Sequence, residues 1–462
     1  MLTQLRLPKK VQPSQMRVLF VHTPMASVYV PERELFWKSF DLKYIQAHPN
    51  YRIMNGNLWE LPHWALWLAG VLVDAGFTSL DVIDFYSNYE GALHGMDLQK
   101  VHDTIRSYEA DVYLFSPMTA NLHFALEIAS VIKACYPKSK TVFGGVIATP
   151  LHAQLIQDKA IDYIVVDRGE YALPELLRAI ENGQNFDKVG NLTYRSDRGD
   201  MVSSPLKYPF PPVNEIPYPK IDLFPADAGQ GLRYIRQVHG LGCPYQCSFC
   251  TIQTIGRKPS FFPIARVLNE IRDYRAYYGA HHHIYWGDET FTAVKQQAVE
   301  LCRALEQEGG IHYDCQTRLN CIDDPALMKA LVASGCRWIE IGIETMNQES
   351  QNLYKHKVRL RDVEDTFRRM RGEGLNVCTF MLNAFPNQTL DDMKRSIEWI
   401  CDMLERDLVR ATYFSNVVPF PGSPFFDQAE KLGMSLHHRD FKYYNEDRTF
   451  GSFFKNGHSI CP

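Results

Sequence analysis

Twice along this chain, short apolar runs alternate with amphipathic stretches of about 12–18 residues. The first series runs from Met16 to about Asn182 and the second from Tyr234 to Val417. A short apolar run reads as a buried strand, and the stretch after it as a crossover helix that returns the chain to a parallel neighbour. The fold class is therefore α/β. In the first series the strands are Arg17–His22, Leu80–Asp84, Asp111–Ser116, Thr141–Gly145 and Ile161–Val166. Helical patterns cover Trp64–Val73, Leu98–Tyr108, Phe124–Cys135 and Tyr171–Glu181. This predicts a doubly wound, Rossmann-like parallel sheet whose ligands lie beyond the strand carboxyl ends.

Cys243, Cys247 and Cys250 form a C-x3-C-x2-C triplet at the start of the second series. Three thiolates so placed can hold three irons of a cubane and leave the fourth without a protein ligand. An open iron can take a substrate and pass it an electron. Zinc is the alternative, with His239 four residues before Cys243 as a fourth ligand, although the spacing is not a usual zinc one. A disulfide would strand one of the three cysteines.

The triplet, with Phe249 before its last cysteine, resembles the signature of radical S-adenosylmethionine (SAM) enzymes. The resemblance implies a partial (β/α)6 TIM barrel. It also implies a 4Fe–4S cluster on Cys243, Cys247 and Cys250, and reductive cleavage of SAM to a 5′-deoxyadenosyl radical. The later strands then read Tyr234–Val238, His283–Trp286, Cys315–Leu319, Trp338–Glu344, Val377–Leu382 and Ala411–Val417. Gly287-Asp288-Glu289 stands where the family has a Gly-Gly-Glu-like motif, so Glu289 is expected to receive the SAM ammonium. Arg318 is expected at the SAM carboxylate and Glu344 at its ribose or methionine part, with Phe249 and Gly287 also lining SAM. Asn383–Thr389 replaces the family's Gly-x-Pro-Gly-Glu-Thr, losing both glycines and the glutamate.

The first unit resembles the cobalamin-binding-type domain that precedes many radical SAM domains. The residues that carry this lie in Ser116-Pro-Met-Thr119, Gly144–Thr149 and Arg168-Gly-Glu170, at the ends of the third, fourth and fifth strands. The resemblance assigns Ser116, Thr119, Gly144, Gly145 and Glu170 to cobalamin. Small residues there let the backbone approach a bulky ligand. Two departures stand out: Gly-Gly-Val-Ile-Ala for Gly-Gly-x-His-Ala, and Asp167-Arg-Gly-Glu for Gly-Glu-Gly-Glu.

Four segments follow: 1–185 as the cobalamin-type domain, 186–230 as a hairpin and proline-rich linker, 231–435 as the radical SAM barrel, and 436–462 as a short cap. The stretch Pro205–Gly231 holds seven prolines. The insert between Thr23 and Leu61 is rich in aromatics (Tyr29, Phe36, Trp37, Phe40, Tyr44, Tyr51, Trp59), an interdomain packing surface or a cavity wall. His281-His-His283 alternates faces if it is a strand and so does not converge on a metal. Eight further cysteines are scattered, mostly in apolar segments, and read as reduced; Cys461, near the terminus, is the outlier.

A net charge of −4 offers no broad cationic field for nucleic acid or an anionic membrane. No run of about 18 apolar residues suggests a membrane span, and the first ten residues lack a signal-peptide core. A cytoplasmic enzyme with a small-molecule substrate and a low-potential donor of the flavodoxin or ferredoxin type is expected. The expected reaction is cobalamin-dependent C-methylation, with a vestigial or purely structural first domain as the alternative to bound cobalamin. The alternatives are radical dehydration of a vicinal diol, as in the sugar-deoxygenating enzymes of antibiotic (aminoglycoside) biosynthesis, a cyclisation, and a non-catalytic corrinoid or electron carrier.

Overall fold

The computed structural model describes residues 13–23, 61–85, 98–208, 210–227, 234–252, 258–279 and 283–434. The aromatic insert, His281, His282, Cys461 and the segment 436–462 lie outside them. Residues up to Arg233 make one compact unit, and nearly all of the chain from Tyr234 onward makes the other.

The first unit is built on strands β1 (Val18–His22), β2 (Leu80–Asp84), β3 (Val112–Phe115), β4 (Lys140–Phe143) and β5 (Tyr163–Val165), all parallel. Helices α1 (His63–Asp74), α2 (Leu98–Arg106), α3 (Leu122–Cys135), α4 (Gly145–Leu155) and α5 (Gly169–Asn182) connect or follow them. Strands β6 (Leu192–Arg195) and β7 (Met201–Ser203) form a hairpin that pairs antiparallel with β5. The sheet order is β2-β1-β3-β4-β5-β6-β7. Chain order reverses at β1, so the crevice where such sheets take ligands opens between the ends of β1 and β3. The hairpin thus extends this sheet. Helix α4 has no strong amphipathic period to announce it, and Gly144–Thr149 is its entry rather than an open loop.

The second unit holds six parallel strands in chain order: β8 (Ile235–Gln237), β11 (Ile284–Trp286), β12 (Tyr313–Arg318), β13 (Cys336–Glu344), β14 (Asn376–Asn383) and β15 (Ala411–Asn416). Among the described residues β8 and β15 do not pair with each other, so the barrel is partial and open. Helices α6 (Ile264–Tyr278), α7 (Lys295–Glu308), α8 (Pro325–Ala333), α9 (Val363–Gly372) and α10 (Leu390–Glu405) alternate with the strands. Thr389 starts α10 with a reciprocal capping box to Asp392, which satisfies two N-terminal amides. Ile339, Ile341, Val377 and Met381 are fully buried, whereas Glu340, Gly342, Phe380 and Leu382 between them are only half-buried. That period of two gives these strands a buried face and a more accessible face. A short antiparallel ribbon, β9 (Gly240–Leu241) with β10 (Ser260–Phe261), brackets the cysteine loop. No helix among the described residues is long and apolar enough to cross a membrane.

Candidate cluster and cofactor site

The three cysteines leave the ribbon on one loop, and all three are free thiols. Cys243 and Cys247 are buried, and Cys250 partly so. Gly242 enters the loop at φ +91°, and a Cβ there would stand 2.8 Å from the Lys258 carbonyl oxygen, so glycine is required. Two adjacent carboxylates from the end of β11 hold the approach. Asp288 accepts from the His239 N–H at 2.9 Å and the Gly240 N–H at 2.6 Å. Glu289 accepts from the Gly242 N–H at 3.0 Å. Burial pushes the Asp288 carboxyl up to about 8, against the two amides it accepts from.

Burial pushes the Cys250 thiol up to about 11; the Ile252 N–H opposes this, and the nearby Cys247 and Cys243 sulfurs add to it. Ligation of these thiols by a cation would remove the proton and the repulsion together. Among the described residues no three His, Cys, Asp or Glu side chains are gathered closely enough for a single metal ion. His239 is fully buried, packs on Phe261 and is held neutral by burial, its pKa lowered to about 4. Among the described residues, neither of its ring nitrogens has a hydrogen-bond partner.

Arg318 ends β12 and lies across the loop. Its Nη1 donates to the Cys247 sulfur at 2.9 Å, and its Nη2 to the Lys355 and His356 carbonyls at 2.9 and 2.7 Å. Its guanidinium sits 4.0 Å from the Tyr245 ring centroid. The Tyr245 hydroxyl accepts from Asn320 and lies 2.8 Å from the Cys321 sulfur. The expected pairing of Arg318 with a SAM carboxylate thus competes with contacts inside the chain. The same holds for Glu344, which accepts from the buried Lys355 ammonium at 2.5 Å. Gly342 must lack a side chain, because a Cβ would meet both groups of that pair. Gly287 donates its N–H to the Gln237 carbonyl at 2.7 Å and contributes backbone only. Phe249 packs edge-on against Phe385, in a cluster with Tyr354, Val417 and Phe425.

Four non-glycine residues, Glu344, His356, Lys357 and Ala384, take left-handed backbone angles around this end of the barrel. Such strain collects at sites where the surroundings over-determine the chain. Ala384 occupies the position of a lost family glycine at φ +64°, and Gln388, in place of the lost glutamate, accepts from the Phe385 N–H at 3.1 Å. The sequence reading missed Lys355, Tyr245 and Cys321. Only Tyr245, inside the triplet, carried any local signal. His283 faces Asp314.

In the first unit Ser116, Gly144 and Gly145 stand at the ends of β3 and β4. Gly145 takes φ +85°, and a Cβ there would strike the Ser116 hydroxyl, so the two residues must both be small. Thr119 is buried and opens a short turn into α3. Met118, 48% exposed, projects apolar surface beside them. Glu170 is buried at the start of α5 and bound by both ends of the Arg168 fork, at 2.5 and 3.2 Å. Arg168 in turn lies over Phe210. This departure from the glycine pattern is thus internally neutralised. His22 and Asp84, in register at the ends of β1 and β2, lie 3.1 Å apart.

Residues 238–400 match the Radical SAM superfamily model and residues 60–177 the B12 binding domain model. An uncharacterized methyltransferase of Pyrococcus horikoshii is 24% identical over 74% of this chain and 74% of its own length. An anaerobic magnesium-protoporphyrin IX monomethyl ester cyclase of Rubrivivax gelatinosus is 21% identical over 87% of this chain and 72% of its own. Among solved structures, the radical SAM methyltransferase TsrM of Kitasatospora setae, with cobalamin and [4Fe-4S] cluster bound, superposes with a TM-score of 0.66 at 17% identity, covering 90% of this chain and 78% of that one. The cobalamin-dependent radical enzyme OxsB superposes at 0.71 and 15% identity, covering 93% of this chain and 64% of that one.

Proposed function

We propose that this radical SAM enzyme, which carries a B12-binding domain ahead of its radical SAM domain, is a cobalamin-dependent C-methylase acting on a small organic molecule. The observation that carries the reading is the presence of both domains in one chain, in the order and architecture shared with TsrM and OxsB. The methyltransferase relatives support it further, and diol dehydration has no counterpart among the relatives described above. When bound, the 4Fe–4S cluster supplies the electron that cleaves the SAM sulfonium, and cobalamin supplies the methyl group.

The chain's own part is to hold and dispose these groups. Cys243, Cys247 and Cys250 would hold the cluster. Arg318 donates to the Cys247 sulfur and ties it to the 355–356 turn. Asp288 and Glu289 fix the backbone leading to Cys243, so that little loop entropy is lost when iron binds. Gly287, Glu289, Arg318, Glu344 and Phe249 would be the residues that contact SAM. For SAM to take the ammonium site at Glu289 or the carboxylate site at Arg318, it must share or displace the contacts described above. Ser116, Thr119, Gly144, Gly145 and Glu170, with the thioether of Met118 beside them, form the edge on which cobalamin would rest. The small residues admit its bulk and the Arg168–Glu170 pair adds no net charge.

Anaerobic reconstitution with iron, sulfide and hydroxocobalamin tests this without knowledge of the substrate. The protein should retain a corrinoid near one per chain through gel filtration. It should also release 5′-deoxyadenosine from SAM under titanium(III) citrate. Retention of iron but no corrinoid would sink the methylase reading. No 5′-deoxyadenosine would sink the radical reading.

A further inference from the structure

The stretch Asn352–Arg361 contains Lys355, His356, Lys357, Arg359 and Arg361 and no acidic residue, in a chain whose net charge is −4. Lys355 is buried with Glu344, but His356, Lys357, Arg359 and Arg361 are exposed. The side chains of Arg359 and Arg361 are 67% and 78% accessible. Asp362 is the carboxylate beside them, 2.7 Å from Arg359 and 3.6 Å from Arg361. Lys357, Arg359 and Arg361 are thus three outward cations, and the groove that Arg359 and Asp362 line also takes in Asp323, Asp365, Arg368 and Arg369, so its charges are mixed and the excess lies toward Lys357 and Arg361.

This basic stretch is fastened to the cysteine loop. The Ser248 N–H donates to the Tyr354 carbonyl at 2.8 Å. One guanidinium, that of Arg318, spans the Cys247 sulfur and the His356 carbonyl. The Lys357 ammonium lies 5.9 Å from the Tyr245 ring centroid, over the middle of the triplet. Pro244 and Gln246, on either side of Tyr245, are exposed. Consecutive left-handed angles at His356 and Lys357 turn the stretch outward there. The segment bonded to the cysteine loop therefore carries exposed cations next to the exposed Pro244 and Gln246.

We infer that the surface formed by Pro244, Gln246, Lys357, Arg359 and Arg361 is the docking site of a small acidic one-electron carrier protein. The inference rests on the radical SAM reading. Electron transfer between proteins falls steeply with distance, so a carrier must approach close to the cysteine loop. A cationic rim at that point steers an acidic partner and raises its encounter rate. The carrier is oxidised by one electron for each SAM whose S–C bond is reductively broken. The basic rim takes no part in that bond breaking, so a small chemical reductant does not need it.

The test compares two electron sources on the reconstituted full chain: an acidic flavodoxin kept reduced by its reductase, and dithionite. Lys357→Glu with Arg361→Glu, which spares the Arg359–Asp362 pair, should cut flavodoxin-driven 5′-deoxyadenosine formation at least tenfold at low salt. It should leave the dithionite-driven rate and the iron content unchanged. Lys357→Gln with Arg361→Gln should give a smaller loss. In the parent protein, salt should slow the flavodoxin-driven rate as the Debye length contracts toward about 8–10 Å. A flavodoxin-driven rate indifferent to charge reversal overturns the inference, as does an equal loss with dithionite. If dithionite yields no 5′-deoxyadenosine in the parent protein, the radical SAM reading falls, and the docking site with it.

Discussion

The Lys355 ammonium donates to the Glu344 carboxylate at 2.5 Å, and both side chains are more than nine-tenths buried. The pair closes the end of β13, where Glu344 takes φ +67° and the strand register slips between Gly342 and Glu344. Two charges taken out of water are tolerable only together. Lys355→Met leaves Glu344 charged and unpaired. It should lower stability by about 3–5 kcal/mol, read by chemical denaturation of the apo protein. An unchanged midpoint would mean that Glu344 is solvated or protonated, against the geometry.

Gly242 opens the cysteine loop in a conformation that places any Cβ against the Lys258 carbonyl. Gly242→Ala should cost roughly 1–2 kcal/mol from the left-handed backbone alone. Because the strain falls beside Cys243, iron per chain after reconstitution should drop as well. Full iron loading in this variant would show that the ribbon does not set the loop's path.

Asp288 titrates high because it is buried, at about 8 against an ordinary 3.8. Between those values the folded state holds a proton that the unfolded chain has released. Stability contributed by the protonated form is therefore full below about pH 4 and declines as pH rises toward 8. Asp288→Asn removes this slope while placing an amide against one backbone N–H. The stability gap between the parent and Asp288→Asn should narrow from pH 5 to pH 8. A gap that stays constant over that range would mean that the carboxyl is ionised throughout, held so by the His239 and Gly240 amides.

In the first unit, Arg168→Met strands the buried Glu170 carboxylate. The penalty of an unpaired buried charge, about 3–5 kcal/mol, should appear in unfolding of this unit. Hydroxocobalamin retention should fall with it if the α5 entry forms part of the corrinoid edge. Normal retention by the folded variant would remove Glu170 from that edge.

Much of the architecture was legible in the chain. Apolar runs such as Val18–His22 and Trp338–Glu344 read as strands because burial on a sheet demands them, and the triplet drew attention through its spacing alone. Helix α4 was not legible, since Gly145–Leu155 starts on a glycine that follows a glycine N-cap, contains Pro150 and has no clear polar face. Lys355 was not legible either, because nothing in Tyr-Lys-His-Lys tells which of its cations turns inward.

The sequence by itself determined where strands and helices alternate, which loops carry cysteine, small or carboxylate residues, and how many charges the chain bears. These follow from local periodicity and residue chemistry. Tertiary structure alone decided that Asp288 clasps the amides before Cys243, that Arg318 bonds a thiol, and that Lys355 is spent on Glu344. Those pairings join residues from 11 to 71 positions apart. Such partners meet only when neighbouring strands fall into register, and burial then sets which polar groups must satisfy one another.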